Sequence, residues 1–393
     1  MAKRAAVKDE KKPAAKRKPA VKKSDKPRPT YHTTDIDPAT YPPMPPPRVP
    51  DNSMLIGAHV GISGGIPTIV ERLTSLGEHC NAAALFVGSS RSWKPRKIED
   101  KEIDEFKEAM DSNNISYDAI LPHAPYICNL GSLDPVTYRN SVERVVKDLQ
   151  TIRRLGVRLY NIHPGTVNKG ATKPETVTRV AEAVTEVLGR VPDVIMVLET
   201  TSGSKYDTKL GGCFEDMADI IKEVDPSVRD RVKVCIDTQH SHAWGHSVQT
   251  KEGWLGVLSA FDSIVGLDRL CAFHINDSLT EKASRVDKHA PLGGGTIGWG
   301  CFEALMSLDI CRDKPLIIET PDPSRWPREI EALHGFGEIA SLRAAVERDS
   351  AVKAEGGLVS LTEGEAEGEG DVVDIEDSAV EISEDPDAEN LLA

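Results

Sequence analysis

From Met54 onward, apolar runs of strand length recur eight times along the chain: MLIGAHV from 54, AAALFV from 82, YDAILPHA from 117, RLYNIHPG from 158, VIMVLET from 194, VKVCIDT from 232, LCAFHIND from 270 and PLIIET from 315. Between them, apolar positions return every three or four residues, as in Val142–Leu155, Pro174–Leu188 and Phe214–Val224, and this spacing predicts amphipathic helices. Eight strand-then-helix units in series predict an α/β fold of the (β/α)8 TIM barrel type, with function seated where the strands end. A doubly wound open sheet is the structural alternative. It would not bring groups from most of its strands to a single point.

The flanks have a different pattern. Residues 1 to 30 are rich in Lys, Ala and Pro and hold no aliphatic larger than valine, so they cannot bury enough apolar surface to offset ordering. Residues 38 to 50 contain seven prolines and predict a stiff polyproline-like spacer. Beyond about Ala354 the chain turns to Gly, Glu and Asp. The expected organisation is therefore a disordered basic arm and linker over 1–53, a barrel over 54–350, and a disordered acidic tail over 351–393.

Charge sharpens this division. The net charge of −14 resolves into +9 for residues 1–30, −10 for 31–350 and −13 for 351–393. Within the arm, Pro13 to Lys18 with flanking lysines resembles a nuclear-import segment; a solvated arm with nonspecific phosphate affinity is the plainer reading, and the two are compatible. In the tail, Val372 to Ile375 beside acids resembles a SUMO-interacting strand, against the plainer reading of a solubilising tail. Nuclear or nucleus-associated residence is expected if the source is eukaryotic or viral, cytoplasmic residence otherwise, and secretion in neither case. The seven dispersed cysteines contain no CxxC pair, which points away from a disulfide framework or thiolate zinc site and toward a reducing compartment. No apolar stretch approaches the ~20 residues of a membrane helix.

The chemistry lies at the strand ends. His123, His163, Glu199, Asp237, His240, His274, Asp287, His289 and Glu319 follow the predicted strands in order, and they include five of the 11 histidines. Imidazoles and carboxylates suit zinc and similar divalent ions, and about three protein ligands per catalytic ion allows three ions here. Ions set close together favour phosphate-ester hydrolysis. Any one of these residues alone reads more simply as a hydrogen-bonded structural group or helix cap. Together, four carboxylates at one mouth without cations would cost several kcal/mol per unpaired charge. His242 and His246 offer an alternative metal contact, with a hydrated-loop role as the plainer reading. The glycine-rich run Leu292–Gly298 permits close backbone approach to the site or to a phosphate, but it lacks the Lys and helix of a phosphate-binding loop.

IGAHVGISGG from 56, ILPHAPYICNLG from 120, HPGT from 163, LETTSG from 198, CIDTQH from 235, FHINDS from 273, SRVDKHAPLGGGTIG from 284 and IIET from 317 occur in this order. The whole series resembles the endonuclease IV family of apurinic/apyrimidinic (AP) DNA repair enzymes over residues 54 to 346. The resemblance implies a (β/α)8 barrel with three Zn2+ ions, one of them replaceable by Mn2+. It assigns His123, His163 and Glu199 to one ion, and Asp237, His274 and Glu319 to a second that shares Glu199. His240, Asp287 and His289 are assigned to the third. Glu199 and Glu319 are the implied catalytic carboxylates.

The implied reaction is hydrolysis of the phosphodiester 5′ to an abasic site in double-stranded DNA, leaving a 3′-hydroxyl and a 5′-deoxyribose phosphate, with 3′-end trimming as a related activity. Arg91, Tyr126 and Ile127 match the residues that enter the DNA and expel the damaged nucleotide. One departure stands out: family members carry polar or basic residues just before the position of Arg91, where this chain has Phe86-Val-Gly-Ser-Ser. A monomer is expected. A sugar-isomerase-like metalloenzyme on a related barrel, needing one or two metals, is the alternative; a noncatalytic lesion binder fits less well, because all nine ligand positions are present.

Overall fold

A computed structural model describes residues 54–359. The basic arm, the import segment, the proline spacer and the modifier motif at 372–375 lie outside the described residues. In chain order the strands are β1 (Leu55–His59), β2 (Ala82–Phe86), β3 (Ile120–His123), β4 (Leu159–Ile162), β5 (Ile195–Glu199), β6 (Val232–Asp237), β7 (Leu270–Ile275), a short pair β8 (Asp277–Ser278) and β9 (His289–Ala290), and β10 (Pro315–Ile318). Strands β1 to β7 and β10 form a closed parallel barrel, each beside its neighbour in the chain, and β10 returns to β1 with Leu55 opposite Pro315. All eight apolar runs read from the sequence are barrel strands. The TIM barrel expected from them is the fold observed.

The helices are α1 (Thr68–Ser75), α2 (Asp100–Ser112), α3 (Pro135–Leu155), α4 (Lys173–Arg190), α5 (Phe214–Glu223), α6 (Pro226–Arg229), α7 (Thr238–Trp244), α8 (Lys251–Ile264), α9 (Trp299–Met306) and α10 (Trp326–Val359). Their ends follow local chemistry. The Asp134 carboxylate accepts the Thr137 amide at 2.8 Å to open α3, and Gly156, at φ 84°, closes it in the left-handed region. Periodicity alone began that helix at Val142, because its first turns are polar. Thr172 and Glu175 form a reciprocal capping box at the start of α4. The last helix continues past the expected boundary at 350; the barrel unit ends at Ser341, and Leu342 begins a second compact unit. No described helix is long and apolar enough to cross a membrane.

The barrel has two apolar layers. A large outer core packs helices on strands, while a small inner cluster contains Ala82, Ala84, Ala119, Leu121, Leu159, Val197, Cys235, Ala272 and Ile317. Side chains on a strand alternate between faces, so residues two apart share a face. The next inward positions after Leu121, Val197, Cys235, Ala272 and Ile317 are His123, Glu199, Asp237, His274 and Glu319. One strand geometry therefore builds a dry plug below and a ring of potential ligands above it.

Candidate metal centre

Glu199, fully buried at the end of β5, is the hub of that ring. Its Oε2 lies 3.2 Å from His123 Nε2 and 3.3 Å from His163 Nε2. The other oxygen, Oε1, lies 3.0 Å from His274 Nδ1. His274 Nδ1 is also 3.3 Å from Glu319 Oε2 and 4.0 Å from Asp237 Oδ2. The two carboxylate oxygens thus face different ligand sets, His123 with His163 on one side and Asp237, His274 and Glu319 on the other. In each set the candidate ligand atoms lie within 4.8 Å of one another.

A third cluster gathers around His240 in α7. By distance alone, His240 and His289 group with Asp237. Both carboxylates approach the ring, Asp237 Oδ2 to 3.8 Å of Nδ1 and Asp287 Oδ2 to 3.3 Å of Nε2. His240 Nδ1 lies 2.7 Å from the Thr200 carbonyl, to which only a protonated ring nitrogen can donate. With Nδ1 so engaged, Nε2 is the ring nitrogen left for a cation; it faces Asp287 Oδ2 at 3.3 Å and makes no hydrogen bond. His289 Nε2, likewise without a hydrogen bond, lies 3.5 Å from Asp287 Oδ1. The small β8–β9 pair returns the chain over the mouth and sets His289 there. Neither α7 nor this pair was legible in the sequence: α7 is short with mostly polar residues, and two-residue strands carry no pattern.

Several partners hold these ligands, and sequence reasoning missed them. His59, at the end of β1, meets Glu319 Oε1 through Nδ1 at 2.7 Å. Asn161 donates to Glu199 Oε2. The Asn276 amide donates to Asp237 Oδ2 at 2.8 Å, and its carbonyl oxygen accepts the Glu319 amide at 2.9 Å. Such partners fix ligand orientation. A signal was present: His59 obeys the strand-end rule, and Asn161 and Asn276 sit two residues from His163 and His274 along the chain.

The electrostatics fit cations. Burial works to lower the His274 pKa, but Glu199 and Glu319 raise it to about 10. Burial works to raise Glu199, yet His274, His163 and His123 hold it well below the ordinary carboxylate range. Burial of the four carboxylates is uneven. Glu199 and Asp237 are buried, whereas the Glu319 and Asp287 side chains are 13% and 35% exposed. Lys209 approaches the cluster, 3.8 Å from Asp287. Unbonded imidazole nitrogens facing carboxylates are a donor set that divalent cations complete.

Around the mouth, Tyr126 is 59% exposed, with its ring 5.5 Å from that of His123 and 5.2 Å from that of Phe86. Arg91 is exposed on the loop after β2, and Ile127 is half-buried. His242 and His246 lie outside the candidate ligand groups of the described residues. His242 is buried, with Nε2 3.1 Å from Thr296 Oγ1, and so is not in a hydrated loop; His246 stacks on Phe214 with ring centres 4.9 Å apart. The glycine-rich run also has an internal role. Asp277 accepts the amides of Gly295, Ile297 and Gly298 at 3.1, 3.0 and 3.2 Å, so these donors are already engaged. A side chain at Gly295 would collide with the Ser278 carbonyl at 2.3 Å.

The family model described as "Xylose isomerase-like TIM barrel" matches residues 70–338. A curated relative, "Probable endonuclease 4" of Campylobacter concisus (strain 13826), is 35% identical over 281 residues, covering 72% of this chain and 97% of its own. The chain belongs to the endonuclease IV family. Endonuclease IV from Thermus thermophilus has a solved structure 32% identical to it, with a TM-score of 0.62, covering 72% of this chain and 98% of that one. A D-tagatose 3-epimerase-like protein matches at a TM-score of 0.56 and 18% identity over 74% of this chain and 99% of its own, a likeness of fold alone. This endonuclease IV family member therefore combines a barrel shared with sugar-converting proteins and a mouth with nine candidate ligands.

Proposed function

We propose that this protein is a metal-dependent AP endonuclease of base excision repair. It hydrolyses the phosphodiester 5′ to an abasic site in double-stranded DNA, leaving a 3′-hydroxyl and a 5′-deoxyribose phosphate, and the same site trims blocked 3′ ends. Three Zn2+ ions, or two with one Mn2+, would be held by His123, His163 and Glu199; by Glu199, Asp237, His274 and Glu319; and by His240, Asp287 and His289. The observation that carries this reading is the division of the two Glu199 oxygens between two ligand sets. When bound, the ions supply Lewis-acid activation of water and neutralise charge on the phosphate.

The chain's own groups orient and exclude. His59, Asn161 and Asn276 fix the carboxylates, so little reorganisation accompanies charge transfer. Arg91, Tyr126 and Ile127, beside the mouth, enter the duplex at the lesion, where a missing base makes unstacking least costly. The protein acts as a monomer. The decisive experiment is incubation of zinc-loaded protein with a duplex carrying one tetrahydrofuran abasic analogue. A single nick 5′ to the analogue, abolished by chelation and restored by zinc, is expected; an intact strand after loading three equivalents of metal contradicts the proposal.

A further inference from the structure

A buried ion pair lies beneath the loop that follows β2. Arg144 and Asp148, one turn apart on α3, are each 1% exposed. Arg144 Nε lies 3.0 Å from both Asp148 oxygens, and Tyr160 donates its hydroxyl to Asp148 Oδ2 at 2.9 Å. Stability is a weak reason for such a pair, since well-packed apolar residues in its place are often neutral or stabilising. The remaining donors point toward a different role. Arg144 Nη1 donates to the carbonyl of Ser92 and, at 3.4 Å, to that of Ser89. These two carbonyls bracket Arg91.

The loop is built to receive that guanidinium. Arg144 Nη2 lies against Gly88, where an added Cβ would sit 3.4 Å from it and 3.3 Å from the Arg96 amide. A larger residue at 88 would be tight against Arg96 and in contact with Arg144 Nη2. The loop's serines bond within the loop, with the Ser89 hydroxyl accepting the Arg91 amide at 3.3 Å and that of Ser92 accepting the Lys94 amide at 3.1 Å. Farther along, Arg96 pairs with Glu102 at 2.5 Å and fixes the outer end of the loop. The small residues before Arg91 thus leave room for a clamp that reaches up from the barrel wall.

We propose that Arg144 is a positioning residue that holds the 88–96 loop in the shape that presents Arg91 to DNA. The proposal rests on the reading of Arg91 as a DNA-entering residue. It locates the rigidity of the loop in a buried charge on α3 that touches neither metal nor substrate. A rigid loop lowers the ordering cost of binding, so its loss raises KM with kcat preserved.

The test uses Arg144→Met combined with Asp148→Asn, which leaves no unpaired buried charge and keeps an acceptor for Tyr160. Tryptic cleavage after Arg91, read from fragment masses, should accelerate about 10-fold, the equivalent of one hydrogen bond from a charged donor. KM for the abasic duplex should rise by about the same factor, with kcat within about twofold. Unchanged tryptic rates and KM in the folded double variant overturn the proposal. If that variant does not fold, Gly88→Val, which presses on the clamp from the loop side, decides by the same two readouts. Failure of the underlying function is distinguishable: wild-type protein then nicks no abasic duplex, while the tryptic comparison still decides the clamp.

Discussion

The two halves of the barrel interior are built on the same strands and obey opposite chemistry. Below, Leu121, Val197, Cys235, Ala272 and Ile317 form a closed apolar plug. Above, the next inward residues, His123, Glu199, Asp237, His274 and Glu319, set imidazoles against carboxylates. The difference between the halves is a step of two residues. Strand geometry supplies position at both levels, and only the lower level is satisfied by the protein itself. Stability should depend on the plug and metal on the ring, and each claim can be broken separately.

The largest expected effect is at the hub. Glu199→Gln keeps the shape but removes the charge shared between two ligand sets. Abasic incision should fall on the order of 10³-fold, the scale of losing one group that stabilises transition-state charge. Elemental analysis should show two ions weakened together. Loss of a single ion would mean that Glu199 does not bridge.

Next comes the plug. Ile317→Ala, two residues before Glu319, should cost about 2–5 kcal/mol in chemical unfolding. Metal content per folded chain should stay at the wild-type value. A parallel loss of metal would show that the two halves are not separable.

A smaller change is expected at the ring's outer partners. His59→Leu removes the group that meets Glu319 at 2.7 Å and should weaken metal binding by about 10- to 100-fold in a chelator competition. Melting of the metal-free protein should change far less. Equal retention of metal by both proteins would make His59 a packing residue only.

The smallest effect concerns Glu329 in α10, which accepts the Thr320 hydroxyl at 2.6 Å and the Leu292 amide at 3.0 Å. Burial raises its pKa from 4.5 to about 7. A carboxyl raised in the folded state contributes stability that is present below pH 4.5 and lost as pH rises through about 7. The melting difference between Glu329→Gln and wild type should therefore move in favour of the variant over that window. A difference independent of pH would contradict the assignment.

Much of this was legible in the sequence, for identifiable reasons. Strands buried on both faces read as continuous apolar runs, so all eight were visible, and the strand-end ligands stood out because ionisable residues interrupt such runs. His59 meets the same rule but was passed over, since its partner Glu319 is distant in the chain and only barrel closure joins them. His240 Nε2 faces Asp287 Oδ2 at 3.3 Å because the fold returns the 287–289 segment to α7, a closeness that no spacing encodes. The clamp at Arg144 was invisible for the same reason: a lone arginine on an amphipathic helix reads as solvated until the loop above it is placed.

The central claim is a three-ion centre at the barrel mouth, and metal stoichiometry tests it most directly. Purified full-length protein, loaded with zinc and passed through a desalting column, should carry three zinc ions per chain by elemental analysis. A value of one or two, with all nine ligands intact, would contradict the account and return the barrel to the sugar-isomerase-like alternative.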